Sequence, residues 1–463
     1  MNRKLNLSEE IENNTIKDKR IKRRLSKTID QLSQYPNHSI PQACKNPAEI
    51  KGAYRLLDNK KVTPEGVLSG HKEATRIRMS EHKIVLLVQD TTDFNYTRPS
   101  AIKGMGEHVQ SPNSKGLLLH STLAITPEGV PLGLLTQKYW TRDPEERGKK
   151  QKRKDLPIEE KESYRWLEAM EESTADIPED ITTVTVADRE ADIFELFKRS
   201  KELGQNILIR AVGNRRVNSE ENLLIKTVDA AEIAGKIRVF IPRDANSKMP
   251  EREIELEIKF RTLQLKPPSH LTNSNTMQPV ELDALYAKEI NPLPGEKSIE
   301  WLLLSSLPIL SIEDAAERLN WYRQRWKIER FHFTLKSGCK VEDLQLETIE
   351  RMENALSLYS IVSWKLLWLV YESRIKPDES CEIVLEEYEW HALYCMVKQK
   401  KDFPKKPPTL KEASMMIARL GGFMCRKGDG DPGVKVMWRG LQRLNDVSSV
   451  WSIITHTEDV GND

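Results

Sequence analysis

KIVLLVQDTTDF, residues 83–94, carries an unbroken apolar run from Ile84 to Val88 and, two residues on, an aspartate. A run this short and this β-branched reads as a strand buried on both faces, with Asp90 expected where that strand ends. A second stretch, ITTVTVADREADIFELF at 181–197, passes from strand alternation to helical spacing and puts Asp188 at the junction. Between them, LLLHSTLAIT and GVPLGLLTQKYW flank the turn residues PEG at 127–129 and read as an antiparallel hairpin. ESYRWLEAMEES reads as a helix. Strands alternating with helices in this way place the chain in the α/β class.

Working outward, the segment from about 206 to 306 is mostly β in pattern (NILIRAV, KIRVFIP, EIELEIKF, EWLLLSSL) and is expected to form a β-rich insertion. A long helix is expected from Ile312 past Glu329. The next, over NALSLYSIVSWKLLWLVYES, is apolar nearly all round and so should be buried. Beyond Pro377 come charged helices divided by the loop DFPKKPPT at 402–409. Toward the N-terminus, Ile21, Leu25, Ile29 and Leu32 recur at helical spacing behind a row of basic residues, and a second helical signal covers Ala48 to Leu57. It ends before the loop DNKKVTPEG, where Pro64 and Gly66 interrupt the pattern.

With 463 residues, two or three domains are expected. Lys and Arg (72) nearly cancel Asp and Glu (70), so net charge says nothing about nucleic acid, but its distribution does. KDKRIKRRLSK, from Lys17 to Lys27, holds seven basic side chains, among them Arg20, Arg23 and Arg24, and basic runs recur at 147–154 and 398–401. Such runs can neutralise phosphates, although most are solvated faces. Five widely spaced cysteines without a Cys-x-x-Cys pair argue against a disulfide framework or a zinc site and fit a reducing cytoplasm. No stretch approaches the roughly 20 apolar residues of a membrane span, and the polar start MNRKLNLSEEIENN lacks the apolar core of a signal peptide. A cytoplasmic protein with no membrane partner is expected.

The chemistry concentrates in WYRQRWKIERFHFTLKSG. On a continuous helix, Tyr322, Arg325, Glu329 and Lys336 fall within a sector of about 60°, so one aromatic, one carboxylate and two cations share a stripe. Alone, Arg325 and Glu329 could be an ordinary i, i+4 ion pair, Asp90 part of a turn and Asp188 a helix cap. Together, Asp90, Asp188 and Glu329 supply three hard oxygen ligands, the donor set for a pair of Mg²⁺ ions, with Mn²⁺ as a substitute. Arg325 and Lys336 could then hold DNA phosphates. Asp93, Glu190 and Asp192 compete locally and are read as supporting, capping or surface residues. Trp326 and Phe333 are read as packing, and His332 as no metal ligand, because Mg²⁺ prefers oxygen.

These residues resemble the DDE transposases of bacterial insertion sequences, specifically the insertion sequence four group that contains the transposon five transposase. VQDTTDFNY and VADREADIF look like its two aspartate blocks, and Tyr322, Arg325, Glu329 and Lys336 match its Tyr-Arg-Glu-Lys signature in type and spacing. KGAYRLLDN, EWLLLSSLP and IARLGGFM match too, so the resemblance covers nearly the whole chain, least securely at the extreme N-terminus and over parts of 210–290.

The resemblance implies an RNase H-like catalytic core (67–372) with the β-rich insertion, a helical DNA-binding domain before it (1–66) and a helical dimerisation domain after it (373–463). It implies cut-and-paste transposition as a homodimer on double-stranded DNA, with nicking at the transposon end, a hairpin intermediate and joining to target DNA. Trp301 matches the family's base-flipping tryptophan, and Arg210, Tyr322, Arg325 and Lys336 fall where it places hairpin-stabilising residues. Three other readings stay open: a transposase-derived regulator that binds DNA without cutting it, a two-carboxylate glycosidase, and an RNase H-like nuclease without strand transfer.

Overall fold

In the computed structural model the described residues are 6–44, 46–96, 102–107, 115–142, 156–241, 252–269, 271, 276–293, 295–296, 298–426 and 428–459. The basic run at 147–154 lies outside them. Two compact units result: Met1–Glu81, Thr91–Pro144 and Lys327–Asp463 form the first, His82–Asp90 and Glu145–Trp326 the second.

The first unit opens with a helical turn, α1 (Leu7–Glu10), and three helices, α2 (Lys19–Gln34), α3 (Ile40–Ala43) and α4 (Pro47–Leu57). As expected, α2 buries Ile21, Leu25, Ile29 and Leu32, and it turns Lys19, Arg20, Arg23 and Lys27 outward. The expected loop at Pro64 and Gly66 is instead the start of α5 (Pro64–Met79). Proline's missing N–H does no harm at the first helical position, and the Thr63 hydroxyl caps the turn by accepting from Gly66 N at 3.1 Å.

β1 runs over Ile84–Tyr96, so Asp90 lies inside a strand and not at its end, a correction to the sequence reading. The reason is visible in the residues: Thr92, Phe94 and Tyr96 keep the buried alternation going after the apolar run stops. The strands β2 (Gly106–Glu107), β3 (Lys115–Ile125) and β4 (Pro131–Trp140) follow, with β3 antiparallel to both others, so the expected hairpin is present.

In the second unit α6 (Tyr164–Thr174) precedes β5 (Thr182–Ala187), α7 (Phe194–Glu202), β6 (Asn206–Arg210) and α8 (Leu224–Asp229). Then come β7 (Gly235–Ile241), β8 (Arg252–Leu265), β9 (Val280–Glu289), β10 (Glu300–Ser305) and the helix α9 (Ile312–Gln324). Residues 84–88 of β1 pair parallel with β5, β5 pairs parallel with β6, and β10, β9, β8 and β7 continue antiparallel. Thus β6 and β10, at the two ends of the segment read as an insertion, join the sheet that starts at β1. Trp166, Met170, Phe194 and Phe197 of α6 and α7 pack with Ile207 and Ile209 of β6 to form the core there.

The expected single helix past Glu329 is interrupted. α9 ends at Gln324, α10 spans Trp326–Phe333, and Thr334–Gly338 is a π-helical turn. Arg325 N bonds to Tyr322 O at 3.0 Å, three residues back, while Cys339 N reaches Thr334 O, five back, at 2.9 Å. The chain therefore tightens once and widens once, and the even 100° spacing assumed for the stripe does not hold. α11 (Ile349–Ile375) is buried nearly all round, as its composition requires, and α12 (Glu387–Lys398), α13 (Leu410–Leu420) and α14 (Val434–Asp459) complete the first unit.

A buried polar network ties the first unit together. His71 Nδ1 lies 2.7 Å from Glu10 Oε1, and Leu134 N donates to His71 Nε2 at 2.9 Å. That pattern makes His71 a neutral ring donating through Nδ1. Arg78 forks onto both Glu10 oxygens and lies 4.5 Å from the centre of the Trp364 ring. Among the described residues no helix is long and apolar enough to cross a membrane.

Candidate active site

The parallel pairing of β1 with β5 runs to Val88 opposite Val186. Continued by two residues, that register would bring Asp90 of β1 opposite Asp188, on strands whose spacing is about 4.8 Å. Ligand sites in parallel sheets gather at this end of the strands. β5 stops one residue earlier, and Asp188 caps the short turn that follows, its Oδ1 accepting from Glu190 N at 2.8 Å. The capping reading of Asp188 therefore holds, with its carboxyl fixed by the Glu190 amide. Glu190 is engaged elsewhere, pairing with Arg165 at 2.8 Å, and Asp192 is buried against Arg215 at 2.6 Å.

The same unit holds four of the eight residues expected to meet DNA, Arg210, Trp301, Tyr322 and Arg325. Arg210, the last residue of β6, donates from Nη2 to the Glu300 carbonyl at 3.0 Å. Trp301, next in β10, is partly exposed and meets Tyr322 edge-on, ring centres 6.3 Å apart. Arg325 is buried to 8% exposure, its guanidinium 5.9 Å from the Tyr322 ring and 5.8 Å from that of Trp326. Arginine stacked on aromatic faces is held in orientation, which suits a forked grip on phosphate.

Glu329, half-buried in α10, and Lys336, in the π turn, belong to the first unit. Lys336 Nζ lies 3.5 Å from Asp93 Oδ1, a partner that sequence spacing did not suggest. His332 is buried, and burial first and the Lys336 charge second push its pKa down to about 3. A ring so held stays neutral and internal.

Trp326 and Phe333, expected to pack, are 60% and 39% exposed, so that expectation is corrected. Their helical spacing was right, but α10 leaves both largely open to solvent; Phe333 lies beside Trp438, ring centres 6.0 Å apart. On α2, Arg20 and Arg23 are exposed as a phosphate-binding face requires. Arg24 is turned inward: its guanidinium lies over Gly52, where an added Cβ would come within 2.5 Å of Cζ.

Among the described residues no three His, Cys, Asp or Glu side chains form a ready-made metal cluster. What the second unit does offer is two adjacent carboxylates, all-oxygen donors of the kind Mg²⁺ takes.

Three family models match the chain in succession: Transposase DNA-binding over residues 6–62, Transposase DDE domain over 166–364, and Transposase Tn5 dimerisation domain over 361–450. Asp188, Arg210, Trp301, Tyr322, Arg325, Glu329 and Lys336 all fall inside the second match, whereas Asp90 precedes it. Among solved structures, a chain in the cryo-EM structure of a piggyBac transposase synaptic complex with hairpin DNA aligns at 8% identity with a TM-score of 0.31. That alignment covers 67% of this chain and 52% of the other, so this chain spans about half its length, and the likeness is too weak to carry an argument. The DDE domain implies an RNase H-like core, in agreement with the mixed sheet and its flanking helices. With the three models in the family's own order along one chain, this protein belongs to the Tn5-like DDE transposases.

Proposed function

We propose that the protein is a cut-and-paste DNA transposase: it binds transposon ends, cleaves them by two-metal phosphoryl transfer through a hairpin and joins them to target DNA. The observation that supports the reading is the parallel register of β1 and β5, which ends at Val88 and Val186, two residues before Asp90 and Asp188, with Asp188 fixed by its turn. Glu329 is the third carboxylate. Asp90, Asp188 and Glu329 would hold Mg²⁺ ions, or Mn²⁺ in their place, whose chemistry when bound would be charge neutralisation at phosphorus and activation of an oxygen nucleophile.

The remaining roles belong to the chain's own side chains. Arg325, oriented by Tyr322 and Trp326, and Lys336 grip strand phosphates, and Arg210 joins them from the end of β6. A hairpin requires a sharply bent strand, and Trp301 beside Tyr322 offers an aromatic surface for a base displaced from the stack. The exposed Arg20 and Arg23 of α2 hold the end duplex through its backbone. The segment matched by the dimerisation model brings two copies together on paired ends, in the cytoplasm at the nucleoid. The domain limits 1–66, 67–372 and 373–463 belong to the same reading.

The test is cleavage of the element's own flanked end DNA by purified protein, with Mg²⁺ or with EDTA. Metal-dependent double-strand breaks with a hairpin intermediate are expected. Asp90→Ala, Asp188→Ala and Glu329→Ala should each lower cleavage by about a thousandfold or more while end binding changes less than about twofold. Full cleavage by one variant removes that residue from the triad, and tight binding without cleavage by the unaltered chain favours a DNA-binding regulator.

A further inference from the structure

Asp93 is three residues beyond Asp90 on β1, and strand alternation turns it to the other face. Thr92, Phe94 and Tyr96 are buried, whereas Thr91, Asp93 and Asn95 are only partly covered. In the first unit each of these three meets a specific partner. The Thr91 hydroxyl is 2.9 Å from Nδ1 of the buried His120, Asp93 Oδ1 is 3.5 Å from Lys336 Nζ, and Asn95 N donates to the Glu342 carboxylate at 2.8 Å. Lys336 Nζ also sits 5.6 Å from the centre of the Phe94 ring.

A lysine ammonium rides on a flexible four-carbon stem and by itself is poorly placed. The Lys336 and Asp93 side chains are 26% and 27% exposed, so the pair is partly covered and only incompletely screened by solvent. What it does fix is where the ammonium stands and how far its charge reaches. Beside Asp93 the ammonium belongs to a locally neutral pair, and passing DNA feels little attraction from it. A phosphate delivered to that spot can replace the carboxylate as partner, one anion for another.

We infer that Asp93 is a positioning residue for Lys336: it holds the ammonium in place and masks its charge until a strand phosphate displaces it. The inference rests on the reading of Lys336 as a phosphate contact. It gives Asp93 a role apart from metal binding and makes the lysine responsive only to a strand that has entered the site.

The experiment uses the full chain as wild type, Asp93→Asn, Asp93→Glu, Lys336→Met and the Asp93→Asn/Lys336→Met double variant. The first arm needs no cleavage: Lys336 acylation by an amine-reactive reagent is followed by peptide mass spectrometry with and without end DNA. Asp93→Asn should raise Lys336 acylation about threefold in the DNA-free protein, Asp93→Glu should restore the wild-type rate, and end DNA should protect Lys336 in all three. In the second arm, hairpin formation from pre-nicked ends should slow about threefold in Asp93→Asn, with no further slowing when the change is added to Lys336→Met.

Unchanged acylation in Asp93→Asn overturns the masking, and absence of protection by end DNA overturns the exchange. Equal slowing in both backgrounds overturns the route through Lys336 and makes Asp93 a structural residue. A wild-type chain that never cleaves defeats the transposase reading by itself, while the acylation arm still decides the pair and its exchange.

Discussion

Arg20, Arg23 and Arg24 are neighbours in sequence with unlike surroundings. The first two project from α2 into solvent, and the third lies over Gly52 of α4, within electrostatic reach of Glu49. If exposed arginines neutralise DNA phosphates, each removes about one unit from the slope of log affinity against log salt when replaced. Arg20→Ala and Arg23→Ala are therefore expected to flatten that slope by about one, and Arg24→Ala by clearly less. Fluorescence anisotropy of an end duplex across a salt series measures this, and equal flattening by all three would show that Arg24 swings outward on DNA. Nothing in the run KRIKRRLSK distinguishes the three, because what separates them is the missing side chain of a glycine on another helix.

Among elements, α13 and α14 make the closest approach that glycine permits. A Cβ at Gly440 would stand 1.8 Å from the Ile417 carbonyl oxygen, and one at Gly421 equally close to that of Val436. Backbone cannot step aside as a side-chain tip can, so Gly440→Ala is expected to destabilise the first unit by about 1–3 kcal/mol, read by urea unfolding. A neutral outcome would mean that the two helices can separate without loss.

The regular elements were legible before any coordinates: the amphipathic α2, the all-apolar α11, the hairpin of β3 and β4, and the strand-to-helix passage at Asp188 each follow from a clean period. The departures were not. β1 was cut short at Asp90 because its alternation continues through threonine, phenylalanine and tyrosine after the aliphatic run ends. The break at Arg325 and the π turn at Thr334–Gly338 leave no mark on residue type; they depend on local hydrogen bonds and on Gly338 fitting beneath the Trp438 ring, where a Cβ would meet carbon at 2.9 Å. For the same reason the exposure of Trp326 and Phe333 could not be read from their spacing. The carboxylates were found by their place along the chain, but the Asp93–Lys336 pair joins segments too distant in sequence for spacing to reveal it.

For the molecule as a whole, acid is the informative stress. Burial pushes His71 below its ordinary value, with Glu10 opposing, and burial with Lys336 takes His332 down to about 3. Rings held neutral inside bind their protons more readily in the unfolded chain. Stability is therefore present at neutral pH, begins to fall as pH drops below histidine's ordinary value of 6.5, and keeps falling toward about 3 for His332. The fall amounts to at most about 1.4 kcal/mol per pH unit for each histidine. Burial alone would raise the Glu10 carboxyl, but bonds and charge from His71 and Arg78 hold it at about 2, so its share is lost only between 4.5 and about 2. Urea unfolding at pH 7, 5.5 and 4.5 should show the decline, and equal stability across that range would contradict the buried neutral rings. Assembly gives a second expectation at this scale. Val450, Ile453 and Ile454 on α14 are 57%, 68% and 53% exposed, the first at the end of the span matched by the dimerisation model and the other two just beyond it. Ile453→Glu is expected to remove paired-end complexes from a native gel while single-end complexes remain, and undiminished pairing would place the dimer contact elsewhere.

A π turn is an α-helix carrying one residue more than its hydrogen bonds require. The turn at Thr334–Gly338 can thus be regarded as the trace of an inserted residue between Glu329 and the chain that follows. Deleting one residue there would let the stretch return to the α repeat, leaving the chain beyond it in register while changing where the lysine stands on the turn. Such a chain would keep its glutamate and every side-chain type around it, yet its lysine would face another direction. In this stretch, length is therefore as much a heritable determinant of the lysine's bearing as residue identity, and a one-codon deletion would be a more severe lesion than most substitutions.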